Sequence, residues 1–251
     1  MERIEKDRLN DWFARLPDKK LPADFQTLLM ERIRQEALLR AERRKERFNL
    51  LGMGGLIISF LGGLAVCPFC YLGRSFWMRM QEERPVESTW VPWEIHPEYP
   101  PEGGPEKSDA RARADLNRYR ALGGDICRFE LGHFSSNTRN ALMGLEFARA
   151  AGRADAYIER VFRAVFVEDT NVSSVGTVVD LGGEVGLDRS ALERSLLSGE
   201  YGQVLAERDR EAEGMGLEVV PSFVRSGKLV LAGTTTMDFA EFRAKYPAVW
   251  G

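Results

Sequence analysis

Uncharged and charged positions divide the first third of the chain into two unlike segments. Residues 48–66 form an uncharged run of 19 residues, and residues 1–47 before it carry 13 Lys/Arg and 10 Asp/Glu. The stretch at 31–47 has strong helix formers, no Gly or Pro, and charges at spacings that allow i,i+4 pairs. We therefore predict a charged helical N-terminal segment over 1–47, followed by an apolar run over 48–66.

The apolar run at 48–66 has two interpretations. About 20 residues in a helix span a hydrocarbon core, and the basic flank would then place the N-terminus in the cytoplasm and the bulk of the chain outside. Alternatively, 56–66 is a buried strand, because Gly54-Gly55 and Gly62-Gly63 bound its most apolar part. Membrane contact through 48–66 and a membrane-anchored protein follow from the first interpretation, and a soluble cytoplasmic protein from the second.

Beyond residue 67 the hydrophobic pattern changes to short segments separated by Gly, Pro and capping residues. A strand rich in β-branched and aromatic residues is predicted at 86–95, and the C-terminal part contains a hairpin signal, Ser226-Gly227, between two apolar stretches. Helices are indicated by 3.6-residue periodicity and by their end signals. The predicted helices cover 108–122, 136 or 137 to 152, 155–166, 175–184, 190–198, 203–215 and 238–246, and the hairpin strands cover 219–225 and 228–232.

Composition excludes several classes of protein but does not identify one. The chain has 44% hydrophobic and 29% charged residues, which excludes a wholly disordered chain. The net charge is −3, from 35 basic and 38 acidic residues, so nucleic acid is not expected as a partner. Three cysteines are too few for a disulfide-stapled mini-fold.

One motif carries redox chemistry, the C-x-x-C sequence Cys67-Pro68-Phe69-Cys70. Two cysteines three apart at the start of a helix are close enough for a disulfide, and the free N–H groups of the first turn stabilise the first thiol as an anion. Half of a zinc site is the alternative, but the other candidates, Cys127, His96 and His133, form no second close pair. No metal site is therefore expected.

Seven short motifs are spaced along the chain after residue 66. They are CPFCYLG at 67–73, WVPWEIHPE at 90–98, PPEG at 100–103, SNT at 136–138, VFRAVF at 161–166, EDTNVS at 168–173 and GLEVVPSFV at 216–224. In this order, the motifs resemble those of the DsbA-like thioredoxin-fold proteins of the FrnE type, a family related to the 2-hydroxychromene-2-carboxylate isomerases and the kappa-class glutathione transferases. The resemblance covers about residues 66–247 and does not extend to 1–65.

The resemblance implies an α/β, thioredoxin-like fold with an inserted all-helical domain. The thioredoxin-like part would comprise 67–107 and 216–251, and the helical insert 108–215. Cys67 would be the attacking cysteine and Cys70 the resolving one. Pro221 would be a cis-proline, and Val220 before it would present its backbone to the substrate beside Pro68 and Phe69.

Three functions are compatible with these features. The first is a DsbA-like thiol–disulfide oxidoreductase that acts on thiols or disulfides of proteins or small molecules, with no tightly bound cofactor and glutathione as an expected type of co-substrate. The second is a glutathione-dependent isomerase or transferase on the same fold. The third is a membrane-anchored binding module without catalysis. Cys127 is predicted to be a buried bystander, and His96 and His133 to have structural or surface positions.

Overall fold

The computed structural model shows a small four-stranded sheet and eight helices in the part of the chain it describes. It describes residues 57–62, 67–83, 85, 88–94, 96–104, 106–123, 130, 133–225, 228–233 and 237–250, with the backbone alone at 57–62 and 246–250. In chain order the elements are β1 Ile57–Gly62, α1 Pro68–Glu83, β2 Ser88–Trp93, α2 Asp109–Gly123, α3 Arg139–Ala150, α4 Ala154–Phe166, α5 Val175–Glu184, α6 Arg189–Ser198, α7 Gly202–Gly214, β3 Ser222–Arg225, β4 Lys228–Ala232 and α8 Phe239–Trp250.

The sheet has the strand order β2-β1-β3-β4. β1 pairs in parallel with β2 and antiparallel with β3, and β4 adds antiparallel to β3. Parallel neighbours need a crossover, and α1 supplies it between β1 and β2. Pro92 lies in β2, which is an edge strand, and an edge tolerates the missing N–H. The helices α2–α7, called the helical block below, all lie between β2 and β3 in the chain, as predicted for the helical insert.

Six residues of the apolar run, 57–62, form strand β1. At these positions the structure decides between the membrane-helix and the buried-strand interpretation. Residues 57–62 are extended and all pair with β2, and residues 57–60 also pair with β3, so this segment is not part of a membrane helix. The membrane-helix interpretation is therefore wrong at these positions, and the sheet has its inner strand. Within the described ranges, no helix combines the length and the apolar character needed to cross a membrane. The predictions for 1–47 and for the rest of 48–66 lie outside the described residues.

Alternate residues of the strands face two hydrophobic clusters, as the two-residue period of a strand requires. Trp90 and Phe223 belong to the larger cluster, in which Trp77 of α1 packs at 5.7 Å from Phe223 between ring centroids. Val91 and Val224, one position further along each strand, belong to a smaller cluster on the other face. Both faces of the sheet are thus covered, which fixes the position of α1 against it.

The segment boundaries that differ most from the sequence prediction are the start of α3, the start of β3 and the end of α8, which lies at Trp250 rather than at 246. Helix α3 begins at Arg139, with Thr138 at the N-cap position, rather than being capped by Ser136 or Asn137. Asn137 instead accepts a hydrogen bond from the Arg139 backbone N–H at 3.0 Å, through its side-chain oxygen. Strand β3 begins at Ser222 and not at 219, since the residues before it form a bend that includes Pro221.

Aromatic contacts join α1 to the helical block. Tyr71 of α1 stacks on Phe166 of α4, with ring centroids 5.3 Å apart and an interplanar angle of 7°, and lies 5.5 Å from Phe162. Aromatic pairs of this kind contribute about 0.5–1.5 kcal/mol beyond the area they bury. The motif helix is therefore held between the sheet on one side and the helical block on the other.

Candidate active site

Cys67 and Cys70 lie at the start of helix α1. Cys67 is the residue before the helix, and its carbonyl accepts hydrogen bonds from the backbone N–H of Cys70 at 3.0 Å and of Tyr71 at 3.4 Å. Cys67 and Cys70 are both in the thiol form and are not joined by a disulfide, and 7% of Cys67 and 0% of Cys70 is exposed. The same turn therefore places one thiol at the surface edge of the core and the other completely inside it.

The pKa values of the two thiols are shifted in opposite directions. The Cys70 thiol donates a hydrogen bond to Cys67 and, together with the backbone N–H groups of Cys70 and Phe69, holds the pKa of the Cys67 thiol below its ordinary value in spite of burial. Burial raises the pKa of Cys70 well above its ordinary value, and the hydrogen bond to Cys67 and the charge of Cys67 add to this. Of the two thiols, Cys67 is therefore the one that loses its proton more readily, and Cys70 is the one that keeps it.

Helix α2 of the helical block packs against the motif. The ring of Phe69 meets the ring of Tyr119 edge to face, with centroids 5.4 Å apart, and the Arg118 guanidinium carbon lies 5.2 Å from the centroid of the Phe69 ring. Sequence reasoning missed Arg118 and Tyr119, because nothing in the sequence says which face of α2 meets the motif. The one available signal is that Asp115, Tyr119 and Leu122 recur at helical spacing.

The bend before β3 contains a cis peptide bond between Val220 and Pro221. Its flanks are fixed, since Ser222 Oγ donates to the Val219 carbonyl at 2.6 Å and the Gly233 N–H donates to the Pro221 carbonyl at 2.8 Å. Val220 packs against the hydrophobic cluster that includes both cysteines. Its own backbone N–H and C=O have no hydrogen-bond partner among the described residues.

The two histidines contact carboxylates. The His96 ring stacks on Tyr99 at 4.7 Å between centroids, and its Nδ1 lies 2.9 Å from Glu98 Oε1. His133 Nδ1 lies 2.6 Å from Asp169 Oδ2, and its Nε2 lies 3.4 Å from Asp109 Oδ1.

Two further sequence predictions bear on metal binding and on the third cysteine. In the part of the chain that the structure describes, no three His, Cys, Asp or Glu side chains converge on a point where a metal ion could bind. Cys127 lies outside the described residues. Its assignment as a buried bystander stays a prediction.

The model of the DSBA-like thioredoxin domain family matches residues 65–243 of this chain. The chain belongs to this family. Its fold is the DsbA-like thioredoxin fold, mostly helical with a small sheet, and the predicted thioredoxin-like fold with inserted helices is confirmed. Family membership supports the activity of a thiol oxidoreductase or a related enzyme.

Similar proteins cover most of the same region. YwbO of Bacillus subtilis (strain 168) is 29% identical over 181 residues, which are 70% of this chain and 90% of YwbO. The structure of the probable DsbA oxidoreductase SCO1869 from Streptomyces coelicolor has a TM-score of 0.68 at 21% identity and covers 78% of this chain and 90% of that one. A 2-hydroxychromene-2-carboxylate isomerase has a TM-score of 0.60 at 19% identity and covers 78% and 94%.

Proposed function

We propose that the chain is a thiol–disulfide oxidoreductase in which Cys67 is the nucleophile and Cys70 the resolving cysteine. The observation that supports the proposal is that the two thiols, one helical turn apart, differ in pKa and in exposure. Cys67 is the thiol with the lowered pKa and retains slight exposure, whereas Cys70 is fully buried and keeps its proton. A more acidic thiol that retains some exposure, with a protonated thiol behind it, is what two successive exchange steps need.

The reaction consists of two thiol–disulfide exchanges. The Cys67 thiolate attacks one sulfur of a substrate disulfide, so that a mixed disulfide forms and the other substrate sulfur leaves as a thiolate. Cys70 then gives up its proton and attacks the Cys67 sulfur, which forms the Cys67–Cys70 disulfide and releases the second substrate sulfur. The substrate gains two electrons from the cysteine pair; one proton comes from Cys70, and the other substrate thiolate takes its proton from solvent. The same two steps in reverse oxidise a substrate dithiol.

Substrate binding is assigned to the residues around the thiolate. Pro68 and Phe69 are half-buried beside Cys67, and the Val220–Pro221 bend offers backbone groups that have no partner among the described residues. We propose that an extended peptide or small thiol binds to the Val220 backbone as an added strand would, with its sulfur at Cys67. A thiol of the glutathione type is the proposed co-substrate that restores the pair after each cycle.

Turnover by cysteine variants tests this function. Replacement Cys67→Ser is expected to reduce disulfide turnover to the uncatalysed rate, because the attacking thiolate is lost. Replacement Cys70→Ala is expected to allow the first exchange only, so that the mixed disulfide with substrate accumulates and is visible by intact mass. As a control, Cys127→Ser should leave turnover unchanged. Undiminished turnover in Cys67→Ser would refute the proposal.

A second candidate is a glutathione-dependent isomerase or transferase. It is favoured by the fold similarity to the 2-hydroxychromene-2-carboxylate isomerase and by the lowered pKa of the Cys67 thiol. Such an activity needs no resolving thiol. The Cys70→Ala variant therefore separates the two candidates, since it should retain isomerase or transferase activity and lose disulfide turnover.

A further inference from the structure

A cavity of about 410 Å³ lies at the start of helix α2, and neither Cys67 nor Cys70 lines it. Three segments form its wall: the loop after β2, the residues that lead into α2 together with its first turn, and the segment 133–135. None of the lining residues has a role in the proposed exchange reaction. The volume is within the range of about 300–1,000 Å³ that is typical of small-molecule sites, so the cavity is a candidate binding site.

Hydrogen bonds tie the three segments of the cavity wall together. The Lys107 backbone N–H, which leads into α2, donates to the His133 carbonyl at 2.8 Å. The side-chain amide of Asn137, just after the segment 133–135, donates to the carbonyl of Tyr99 in the loop after β2 at 2.7 Å. The cavity is therefore formed before any ligand binds, as is usual for small-molecule sites.

Two of the ionisable side chains in the cavity wall already have partners. Lys107 Nζ lies 3.4 Å from Asp115 Oδ2, so its charge is compensated within α2. His96 Nδ1 lies 2.9 Å from Glu98 Oε1, two residues further along the same loop. Neither Lys107 nor His96 therefore needs a ligand to satisfy it.

The other two charged side chains of the wall, Glu106 and Arg111, have opposite signs. Both residues are exposed, and neither has a hydrogen-bond or ion-pair partner among the described residues, including each other. A guanidinium binds a carboxylate through two parallel hydrogen bonds, and a carboxylate accepts strong hydrogen bonds from an ammonium group. The cavity thus offers one partner to a negative group and one to a positive group of the same small molecule.

Two half-buried aromatic side chains, Tyr99 and Phe134, supply the apolar part of the wall. The Tyr99 ring is held by stacking on the His96 ring, with centroids 4.7 Å apart and an interplanar angle of 4°. Aromatic rings bind other flat apolar groups by offset stacking or edge contacts, and this burial removes apolar area from water. A ligand that carries an aromatic group besides its two charges is therefore favoured.

We propose that this cavity binds a free α-amino acid with an aromatic side chain. Arg111 binds the α-carboxylate, Glu106 binds the α-ammonium group, and Tyr99 and Phe134 contact the aromatic side chain. Binding is non-covalent and does not require the thiol pair. The site therefore goes beyond the proposed function and stands or falls independently of it.

Three matched probes test the recognition of both charges: L-phenylalanine, 3-phenylpropionate, which lacks the ammonium group, and phenethylamine, which lacks the carboxylate. Their dissociation constants are measured with the full-length protein by isothermal titration calorimetry at neutral pH. We expect L-phenylalanine to bind at least roughly 10-fold more tightly than either analogue, the effect of one hydrogen bond to a charged group. Equal affinity for the three probes, or no saturable binding of L-phenylalanine, would overturn the proposal.

Two variants assign each charge to its partner. Replacement Arg111→Gln should weaken binding of L-phenylalanine and 3-phenylpropionate and leave phenethylamine unchanged, whereas Glu106→Gln should weaken L-phenylalanine and phenethylamine only. The matched control is Arg113→Gln, since Arg113 is an exposed arginine of α2 that lies 3.9 Å from Asp109 and does not line the cavity. It should change none of the affinities.

Circular dichroism checks that the variants fold, which the exposure of the replaced side chains favours. Equal losses for all three probes in Arg111→Gln or Glu106→Gln, or a loss of L-phenylalanine binding in Arg113→Gln, would contradict the assignment. The variant Cys67→Ser should bind L-phenylalanine as the wild type does. Loss of binding in that variant would place the ligand at the thiol pair and overturn the proposal of a separate site.

Discussion

Cys67 and Cys70 differ in pKa because positions three residues apart at the start of a helix differ in burial and in hydrogen bonding. Cys67 receives the backbone N–H groups of the first turn, whereas Cys70, one turn later, points into the core and is fully buried. The sequence predicted this order from spacing alone, since only the first cysteine of the motif can lie at the helix start. What it could not predict is that the Cys70 thiol itself is the largest contribution to the lowered pKa of Cys67.

His133 is the residue whose charge state should affect stability near neutral pH. Its ring lies between the carboxylates of Asp169 and Asp109, and its backbone N–H donates to Asp169 Oδ1 at 2.9 Å. Asp169 has a positive φ of 49°, which is uncommon for a residue with a side chain and is maintained here by these contacts. The hydrogen bond to Asp169 is the main cause that raises the pKa of His133 above its ordinary value.

A pH-dependent effect of His133→Gln follows from this shift. A raised native pKa means that the imidazolium stabilises the fold below the unfolded pKa of about 6.5, and that this contribution is lost as pH rises through the native pKa. The difference in unfolding free energy between wild type and His133→Gln should therefore be larger at pH 5.5 than at pH 9, measured by urea denaturation. The same variant in an Asp169→Asn background should show much less pH dependence. An equal difference at both pH values would contradict the assignment.

At the scale of elements, end signals in the sequence located the helices to within one or two residues where capping is local. Helix α5 begins after Ser174, whose side chain accepts from the Thr177 N–H, and α6 begins after Asp188, which accepts from the Ala191 N–H. The larger errors at the starts of elements occur at α3 and β3, where contacts with distant segments decide. At α3 the Asn137 N–H donates to Ser173, 36 residues away in the chain, which displaces the helix start.

The crossing of α3 and α4 depends on Gly144. A Cβ at this position would lie 2.9 Å from Cζ of Tyr157 and 3.1 Å from Cγ1 of Val178. Tyr157 cannot move aside without cost, because it is fully buried and its hydroxyl donates to the Ala141 carbonyl at 3.1 Å.

Replacement Gly144→Ala should destabilise the protein although alanine is the better helix former. Overpacking costs about 1–3 kcal/mol and the gain in helix propensity is at most ~1 kcal/mol, so we expect a net loss of up to about 2 kcal/mol in unfolding free energy. The matched control is Gly176→Ala in α5, where the nearest atom would be 3.9 Å away, and which should be neutral or stabilising. A stabilised Gly144→Ala variant would show that the two helices are not packed as described.

At the scale of the whole molecule, the sheet depends on β1 as its inner strand. Ser59 pairs with Trp90 of β2 on one side and with Phe223 of β3 on the other. Without β1, the two halves of the thioredoxin-like sheet, which are far apart in the sequence, would have no shared strand. The six residues of β1 therefore hold together elements from both sides of the helical block.

Replacement Ser59→Pro should weaken the entire fold. Proline removes a backbone donor in a strand that is paired on both sides, at a cost of about 3 kcal/mol or more, which corresponds to a fall in Tm of roughly 6–12 °C for a protein of this size. Ser59→Ala keeps the N–H and is the control, with a change of no more than about 3 °C expected by circular dichroism. Equal Tm values for the two variants would mean that Ser59 is not in an inner strand.

The sequence by itself determined the order of the helices and strands after residue 67, the redox motif and the family, because these depend on local spacing and on residues that are close in the chain. It left the apolar run at 48–66 open, since an uncharged run with glycines satisfies a membrane helix and a buried strand equally well. Only the tertiary structure decided this for residues 57–62, by pairing all of them with β2 and residues 57–60 also with β3. In the same way, only packing brought Tyr119 against Phe69 of the motif, because the face of α2 that meets the motif depends on contacts between segments about 50 residues apart.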